Sequence, residues 1–92
     1  MFYVYYLESV NNGKFYVGRT NDLKRRYEEH NSGHGGDFTA KNGPWKLIFY
    51  EAFINGKDAI VAEEFFKSGY GREVLKDKLK NYLRNKHYSG IV

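Results

Sequence analysis

The sequence contains no cysteine, and only one proline and one tryptophan, among its 92 residues. The lack of cysteine excludes disulfide bonds and thiolate metal sites, as is usual for a protein of the reducing cytoplasm. No apolar run reaches the roughly 20 residues of a membrane-spanning helix, and the N-terminus lacks the charged and then apolar pattern of a signal peptide. We therefore expect a cytoplasmic protein with a single domain over residues 1–92.

Acidic residues are fewer than basic ones, 11 against 15, which gives a net charge of +4 and an isoelectric point near 9.3. The excess is concentrated from residue 67 onwards. Aromatic residues make up 18% of the chain, including nine tyrosines and seven phenylalanines. A basic, aromatic-rich surface suits an acidic polymer, and nucleic acid is the first candidate.

The order of predicted elements is strand, strand, helix, strand, helix, helix. Aromatic and β-branched runs predict the strands, and apolar residues at helical spacing predict the helices. The predicted strands cover residues 2–7, 15–17 and 45–53, and the predicted helices cover about 22–30, 57–68 and 72–86. This pattern predicts an α+β fold, a three-stranded antiparallel sheet flanked by three helices.

The connections carry their own signals. An Asn-Gly pair at residues 11–14 predicts a hairpin turn between the first two strands. Gly18 is interpreted as a turn into the first helix, with Asn21 as the N-cap. The glycine-rich segment 31–44 is interpreted as a mobile loop beside a site.

The first helix carries ionisable residues on its inner face. Leu23, Arg26, Tyr27 and His30 follow the spacing of a core-facing stripe, yet two of the four are an arginine and a histidine. In one interpretation both lie at the rim of the stripe and reach water. In the other they line a cleft and offer a cation and an imidazole to an anionic ligand.

The second helix repeats this anomaly at Glu63, which shares an apolar stripe with Ala59, Ala62 and Phe66. The simplest role for Glu63 is an i,i+4 ion pair with Lys67. Alternation along the hairpin allows two tyrosines to share a side near the first helix. We therefore expect five groups to converge on one side of the sheet: Tyr5, Tyr16, Arg26, His30 and Glu63.

These residues resemble the GIY-YIG nucleases, especially the small stand-alone bacterial kind. The two half-motifs are similar to Tyr3-Val4-Tyr5 and Tyr16-Val17-Gly18, and the resemblance extends from Phe2 to about Leu83. Arg26, His30 and Glu63 follow in the family's order. Tyr3 and Val4 replace the Gly-Ile of the family's first half-motif, while its tyrosine, the functional residue of that half-motif, is kept as Tyr5.

The resemblance implies metal-assisted hydrolysis of phosphodiester bonds in DNA. Glu63 would hold one Mg²⁺ or Mn²⁺, and Arg26 would bind the scissile phosphate. Tyr5, acidified by Arg26 and the metal, is the first candidate for the base that activates water, with Tyr16 and a near-neutral His30 as alternatives. The DNA backbone on either side would contact basic residues, namely Lys24, Lys41, Arg72, Lys76 and Lys80.

Two other interpretations stay open at this point. The same fold could be a nucleic-acid-binding module without catalysis, or a structural domain in which Arg26 pairs with a carboxylate at the rim and Glu63 with Lys67. For an enzyme, the substrate could be branched or damaged DNA in repair or recombination, and RNA is not excluded. The sequence shows no second domain to choose targets, so we expect weak selectivity, a homodimer or a protein partner.

Overall fold

Three strands and five helices follow one another in the structure, a computed structural model that describes residues 1–91 and the side chains of residues 1–85. The elements are β1 (Phe2–Ser9), β2 (Phe15–Thr20), α1 (Leu23–Asn31), α2 (Asp37–Asn42), β3 (Trp45–Phe53), α3 (Gly56–Lys67), α4 (Gly69–Lys78) and α5 (Lys80–Ile91). Among these described residues, no helix combines the length and the apolar character needed to cross a membrane.

The sheet has the order β2-β1-β3, so β1 is central and antiparallel to both neighbours. β1 is rich in the aromatic and β-branched residues that favour strands. Its residues 4–9 are all buried, as expected for a strand covered on both faces. The predicted α+β class with a three-stranded antiparallel sheet is confirmed.

One face of the sheet is covered by α3 and α4. Val4 and Tyr6 point to this face from β1, and they form a buried cluster with Ala59, Phe66 and Leu75 from the two helices. The helices are joined at Ser68. Its hydroxyl accepts a hydrogen bond from the N–H of Gly71 at 3.0 Å and so caps the start of α4.

The opposite face is covered by α1, α2 and the segment between them. Here Tyr5, Leu7 and Trp45 form the buried cluster, with Tyr16 and Tyr27 among the residues packed against it. Since side chains alternate along a strand, β1 sends neighbouring tyrosines to opposite faces. The two faces therefore have separate sets of residues.

Gly18 lies within β2, opposite Tyr5, so the predicted turn at this residue is wrong. A Cβ atom at Gly18 would lie 2.3 Å from the Tyr5 hydroxyl. The glycine is needed there because the phenol ring of Tyr5 crosses directly over its backbone. Helix α1 starts later than predicted, with Asp22 rather than Asn21 as its N-cap.

The segment 31–44, predicted as a mobile loop, contains helix α2 instead. Thr39 in this helix is only 1% exposed. Its carbonyl accepts a hydrogen bond from the indole N–H of Trp45 at 2.8 Å, and the Asn31 side chain accepts one from the backbone N–H of Trp45 at 2.6 Å. The bond to Thr39 holds α2 against β3, and the bond to Asn31 holds the end of α1 there. The glycine content of the segment gave no sign of this packing.

The C-terminal part also differs, because the predicted helix 72–86 is two helices. The break falls at Leu79, and α4 begins at Gly69, three residues before the predicted start. α5 is anchored by Tyr82, whose hydroxyl donates a 2.6 Å hydrogen bond to the buried carboxylate of Glu8. The structure thus has five helices where the sequence predicted three.

Candidate active site

A buried chain of hydrogen bonds connects β1, α1 and α2. The hydroxyl of Tyr5 lies 2.7 Å from Nε2 of His30, and Nδ1 of His30 lies 2.9 Å from the hydroxyl of Thr39. All three side chains are at most 2% exposed. The network therefore excludes bulk water and fixes the imidazole in one orientation.

The donors and acceptors in this chain can be assigned from Thr39. Its hydroxyl donates to the carbonyl of Gly36 at 3.4 Å, so it accepts the Nδ1–H of His30. A neutral imidazole has one N–H, which leaves Nε2 as an acceptor for the Tyr5 O–H. His30 is thus placed to take a proton from Tyr5.

The pKa values differ from the sequence-based expectation. Burial raises the pKa of Tyr5 to about 12, and repulsion from Tyr16 adds to this, whereas the hydrogen bond and charge of Arg26 lower it. Burial and the positive charge of Arg26 lower the pKa of His30 to about 4. The near-neutral titration expected for His30 is therefore wrong, and the acidifying effect of Arg26 on Tyr5 is outweighed by burial.

Arg26 joins the network from the preceding turn of α1, four residues before His30. It interacts with Tyr5 closely enough to affect the pKa of the phenol, and it donates hydrogen bonds to the carboxylate of Glu29 at 3.1 Å and to the carbonyl of Gly35 at 3.3 Å. The hydrogen bond to Glu29 raises the pKa of Arg26 further. Its side chain is 30% exposed, so the guanidinium is oriented by the protein and still accessible to a ligand.

Glu63 is held between two cations. Its carboxylate lies 3.1 Å from Nε of Arg19 and 3.2 Å from Nζ of Lys67, and it is 17% exposed. The i,i+4 pair with Lys67 is the simple role considered for Glu63 in the sequence. The contact with Arg19 on β2 was not expected, because nothing in the sequence spacing joins these two residues.

The five groups do not converge on one face of the sheet. Tyr5, Tyr16, Arg26 and His30 lie on the α1 face, whereas Glu63 comes from α3 on the opposite face. Glu63 nevertheless lies close enough to Tyr5 to raise the pKa of that phenol. The two faces meet around β2, an edge strand whose Arg19 contacts Glu63 and whose Gly18 lets the Tyr5 ring pass.

Two of the five basic residues predicted to bind nucleic acid lie near this site. Arg72 and Lys76 line a groove that also includes Tyr16 and Lys67. Lys24 lines a different depression, beyond α1. Exposed Lys41 and Lys80 lie on α2 and α5, and neither lines this groove.

Comparison with known proteins agrees with this arrangement. The family model of the GIY-YIG catalytic domain matches residues 1–80. The chain belongs to the GIY-YIG family.

Relatives place this GIY-YIG domain among small stand-alone bacterial proteins. It is 43% identical over 86 residues to the UPF0213 protein in the ldhD 5′ region of Pediococcus acidilactici, covering 91% of this chain and 82% of the relative. It is 33% identical over 85 residues to the UPF0213 protein YazA of Bacillus subtilis, covering 92% and 81%. The resemblance to the GIY-YIG group is thereby confirmed.

A solved structure supports the fold as well. The solution structure of the UPF0213 protein BH0048 from Bacillus halodurans is 36% identical, covers 84% of both chains and superposes with a TM-score of 0.52. The GIY-YIG domain is generally a nuclease domain that uses a divalent metal and acts on nucleic acid. The membership therefore identifies this chain as one of a nuclease family.

Proposed function

We propose that this protein is an endonuclease that hydrolyses phosphodiester bonds in DNA with one Mg²⁺ or Mn²⁺ ion. The main support is the hydrogen bond between Tyr5 and His30, with Arg26 beside it and Glu63 within electrostatic range. This set provides a proton acceptor, a fixed cation and a carboxylate at one strand edge. Displacement at phosphorus requires each of these elements.

Arg26 is proposed to bind the scissile phosphate. A guanidinium is always charged and can donate two parallel hydrogen bonds to phosphate oxygens. Its bonds to Glu29 and Gly35 hold it in place before the substrate arrives. Such pre-positioning means that little reorganisation is needed when negative charge builds up in the transition state.

Tyr5 and His30 are proposed to act together as the general base. Because the pKa of Tyr5 is about 12, a free phenolate would be scarce at neutral pH. Tyr5 can instead take a proton from water as it passes its own proton to Nε2 of His30. Because its pKa is about 4, His30 is neutral and Nε2 has a free lone pair for that proton, although burial also makes it a weaker base than a free imidazole. Tyr16, whose ring lies 5.0 Å from His30, is proposed to orient the attacking water.

Glu63 is the residue proposed to hold the metal. Among the described side chains, no group of three His, Asp or Glu residues could enclose an ion. The residues still fit Mg²⁺, which keeps most of its waters and is often bound through one carboxylate and substrate phosphates. When bound, the ion would neutralise phosphate charge and lower the pKa of a bound water. Each carboxylate oxygen has lone pairs beyond those used by Arg19 and Lys67.

Supercoiled plasmid with Mg²⁺ provides the test. The wild-type protein should convert it to nicked or linear forms, and Glu63→Gln should reduce cleavage to the background rate while keeping the fold by circular dichroism. Glu64→Gln is the matched control, since Glu64 is the exposed neighbour on the same helix. The control should cleave at the wild-type rate.

Three outcomes would contradict the proposal. If Glu63→Gln cleaves as fast as the wild type, Glu63 does not hold the metal. If the wild-type protein only retards DNA in a gel and never cuts it, the alternative of a non-catalytic binding module is favoured. A crystal soaked in Mn²⁺ without metal near Glu63, together with no affinity for DNA, would favour a purely structural domain.

Several finer expectations belong to this proposal. We propose branched or damaged DNA as substrate, with RNA as a second possibility, and a role in repair or recombination in the cytoplasm. We also propose that targeting depends on a homodimer or a protein partner. A panel of branched, nicked, single-stranded and RNA substrates would test the preference, and sedimentation would test the oligomeric state.

A further inference from the structure

A groove of about 470 Å³ runs beside the candidate site, between β2, α2, α3 and α4. It shares two residues with the surroundings of the site. Lys67 binds the carboxylate of Glu63 at 3.2 Å, and the Tyr16 ring packs against His30 at 5.0 Å. A polymer bound along the groove would therefore lead directly to the proposed scissile phosphate.

Among the residues that the structure describes, four cations and no acidic residue line the groove. The cations are Lys14, Lys67, Arg72 and Lys76, all exposed. Glu73, which lies 3.5 Å from Lys76, is 73% exposed and offers only a weak surface pair. Such a run of like charge around one concave surface suits a chain of phosphates.

Aromatic rings distinguish this groove from a plain phosphate-binding surface. Phe38 is 43% exposed, and its ring stacks on Tyr16 with centroids 6.2 Å apart and planes at 24°. Phe15, the first residue of β2, lines the same groove. Aromatic rings along a cationic groove are the platforms on which unpaired bases stack. A duplex hides its base faces, so it could use the cations but not these rings.

We infer that this groove binds an unpaired strand of nucleic acid, with one base on Phe38 and the phosphates on the four cations. The inference rests on the proposed function, since it makes the preferred substrate one in which the cleaved bond lies next to an unpaired segment. The stacked pair of Phe38 and Tyr16 would then set where that strand passes relative to Arg26.

Binding can be measured separately from cleavage by fluorescence anisotropy in EDTA. The probes are a labelled 12-nucleotide single strand of DNA, the same sequence as RNA, and the DNA duplex. Wild-type protein should bind the DNA single strand at least about tenfold more tightly than the duplex. Phe38→Ala should weaken single-strand binding by about tenfold, as expected for the loss of one stacked base, and leave duplex binding unchanged.

The matched control is Tyr70→Ala, because Tyr70 is an aromatic residue 74% exposed on α4 and does not line the groove. It should bind all three probes as the wild type does. Lys14→Gln with Lys76→Gln removes two cations without touching the aromatic rings. This double variant should reduce the slope of log affinity against log salt by about 1.4, or about 0.7 per lost single-strand contact.

Equal or tighter binding of the duplex would overturn the inference, as would an equal loss on both DNA probes in Phe38→Ala. If that variant is misfolded by circular dichroism, an unchanged salt slope in the double variant overturns it instead. Tighter binding of RNA than of DNA would keep the groove and assign it to RNA. If the protein cleaves plasmid but shows no preference for the single strand in the binding assay, only this inference is contradicted. If it prefers the single strand but cleaves nothing, only the proposed function is contradicted.

Discussion

The two faces of the sheet are built from the same strands but differ in chemistry. On the α3 and α4 face, the buried cluster is apolar apart from the Tyr6 hydroxyl. On the α1 and α2 face, the buried cluster around Tyr5 and Trp45 adjoins buried His30 and Thr39, whose polar atoms are hydrogen-bonded. One face thus resembles an ordinary core, and the other contains a polar network that is shielded from bulk water.

This difference indicates separate tasks for the two faces. A buried polar network is stabilising only when every member is satisfied, so it is a poor way to gain stability alone. It does hold a few groups in one arrangement, which a reactive site requires. Under the proposed function, we therefore propose that the apolar face serves chiefly stability and the polar face chiefly chemistry, with Glu63 reaching the shared edge from the apolar side.

Tyr5→Phe provides the strongest test of this division. The substitution keeps the ring in the core and removes the hydroxyl that is bonded to His30. We expect plasmid cleavage to fall by about 10²–10⁴, the range for loss of a general base. Tyr27→Phe, which removes a hydroxyl bonded to the carbonyl of Trp45 on the same face, should stay within a few-fold of wild type. Equal losses in both variants would mean that the network is only structural.

Leu75→Ala tests the apolar face, where we expect a loss of stability without a loss of cleavage. Leu75 is fully buried in the cluster with Val4 and Phe66. We expect the free energy of unfolding to fall by about 2–5 kcal/mol, as for other buried leucines. The cleavage rate per folded molecule should stay unchanged, measured well below the melting temperature. A large loss of this rate with a normal melting temperature would show that the faces are not separate.

The sheet was predictable because its signals are local. The aromatic runs and the Asn-Gly turn fix the strands, and the limits predicted for β3 agree with the structure. The candidate site was harder, since its contacts join residues far apart in sequence. Thr39 contacts His30 across a glycine-rich segment that resembles a loop, and Arg19 contacts Glu63 across 44 positions.

Gly18 shows why such contacts were missed. A glycine after a strand commonly marks a turn. The sequence gives no sign that the ring of Tyr5 passes so close to Gly18 that no side chain would fit there. The same holds for the pKa values. Burial dominates them at Tyr5 and His30, and burial depends on the packing of α2, which the sequence did not reveal.

The pH dependence of the free energy of unfolding should reveal the buried imidazole of His30. We expect this effect to be smaller than those of Tyr5→Phe and Leu75→Ala. Burial lowers the pKa of His30 from 6.5 to about 4, so between these values the unfolded chain binds more protons than the folded protein. Stability therefore falls as the pH decreases through this window. From pH 7 to pH 5 the contribution of His30 is a loss of about 2 kcal/mol. Urea unfolding at both pH values measures it.

Other groups also titrate below neutrality, so the effect is best isolated as a difference between variants. His30→Gln should lose about 2 kcal/mol less than the wild type over the same pH interval. His34→Gln, at an exposed histidine outside the network, should behave as the wild type does. If His30→Gln and the wild type lose the same free energy, the imidazole is not buried in its neutral form, and Nε2 of His30 is not the neutral acceptor of the hydrogen bond from Tyr5.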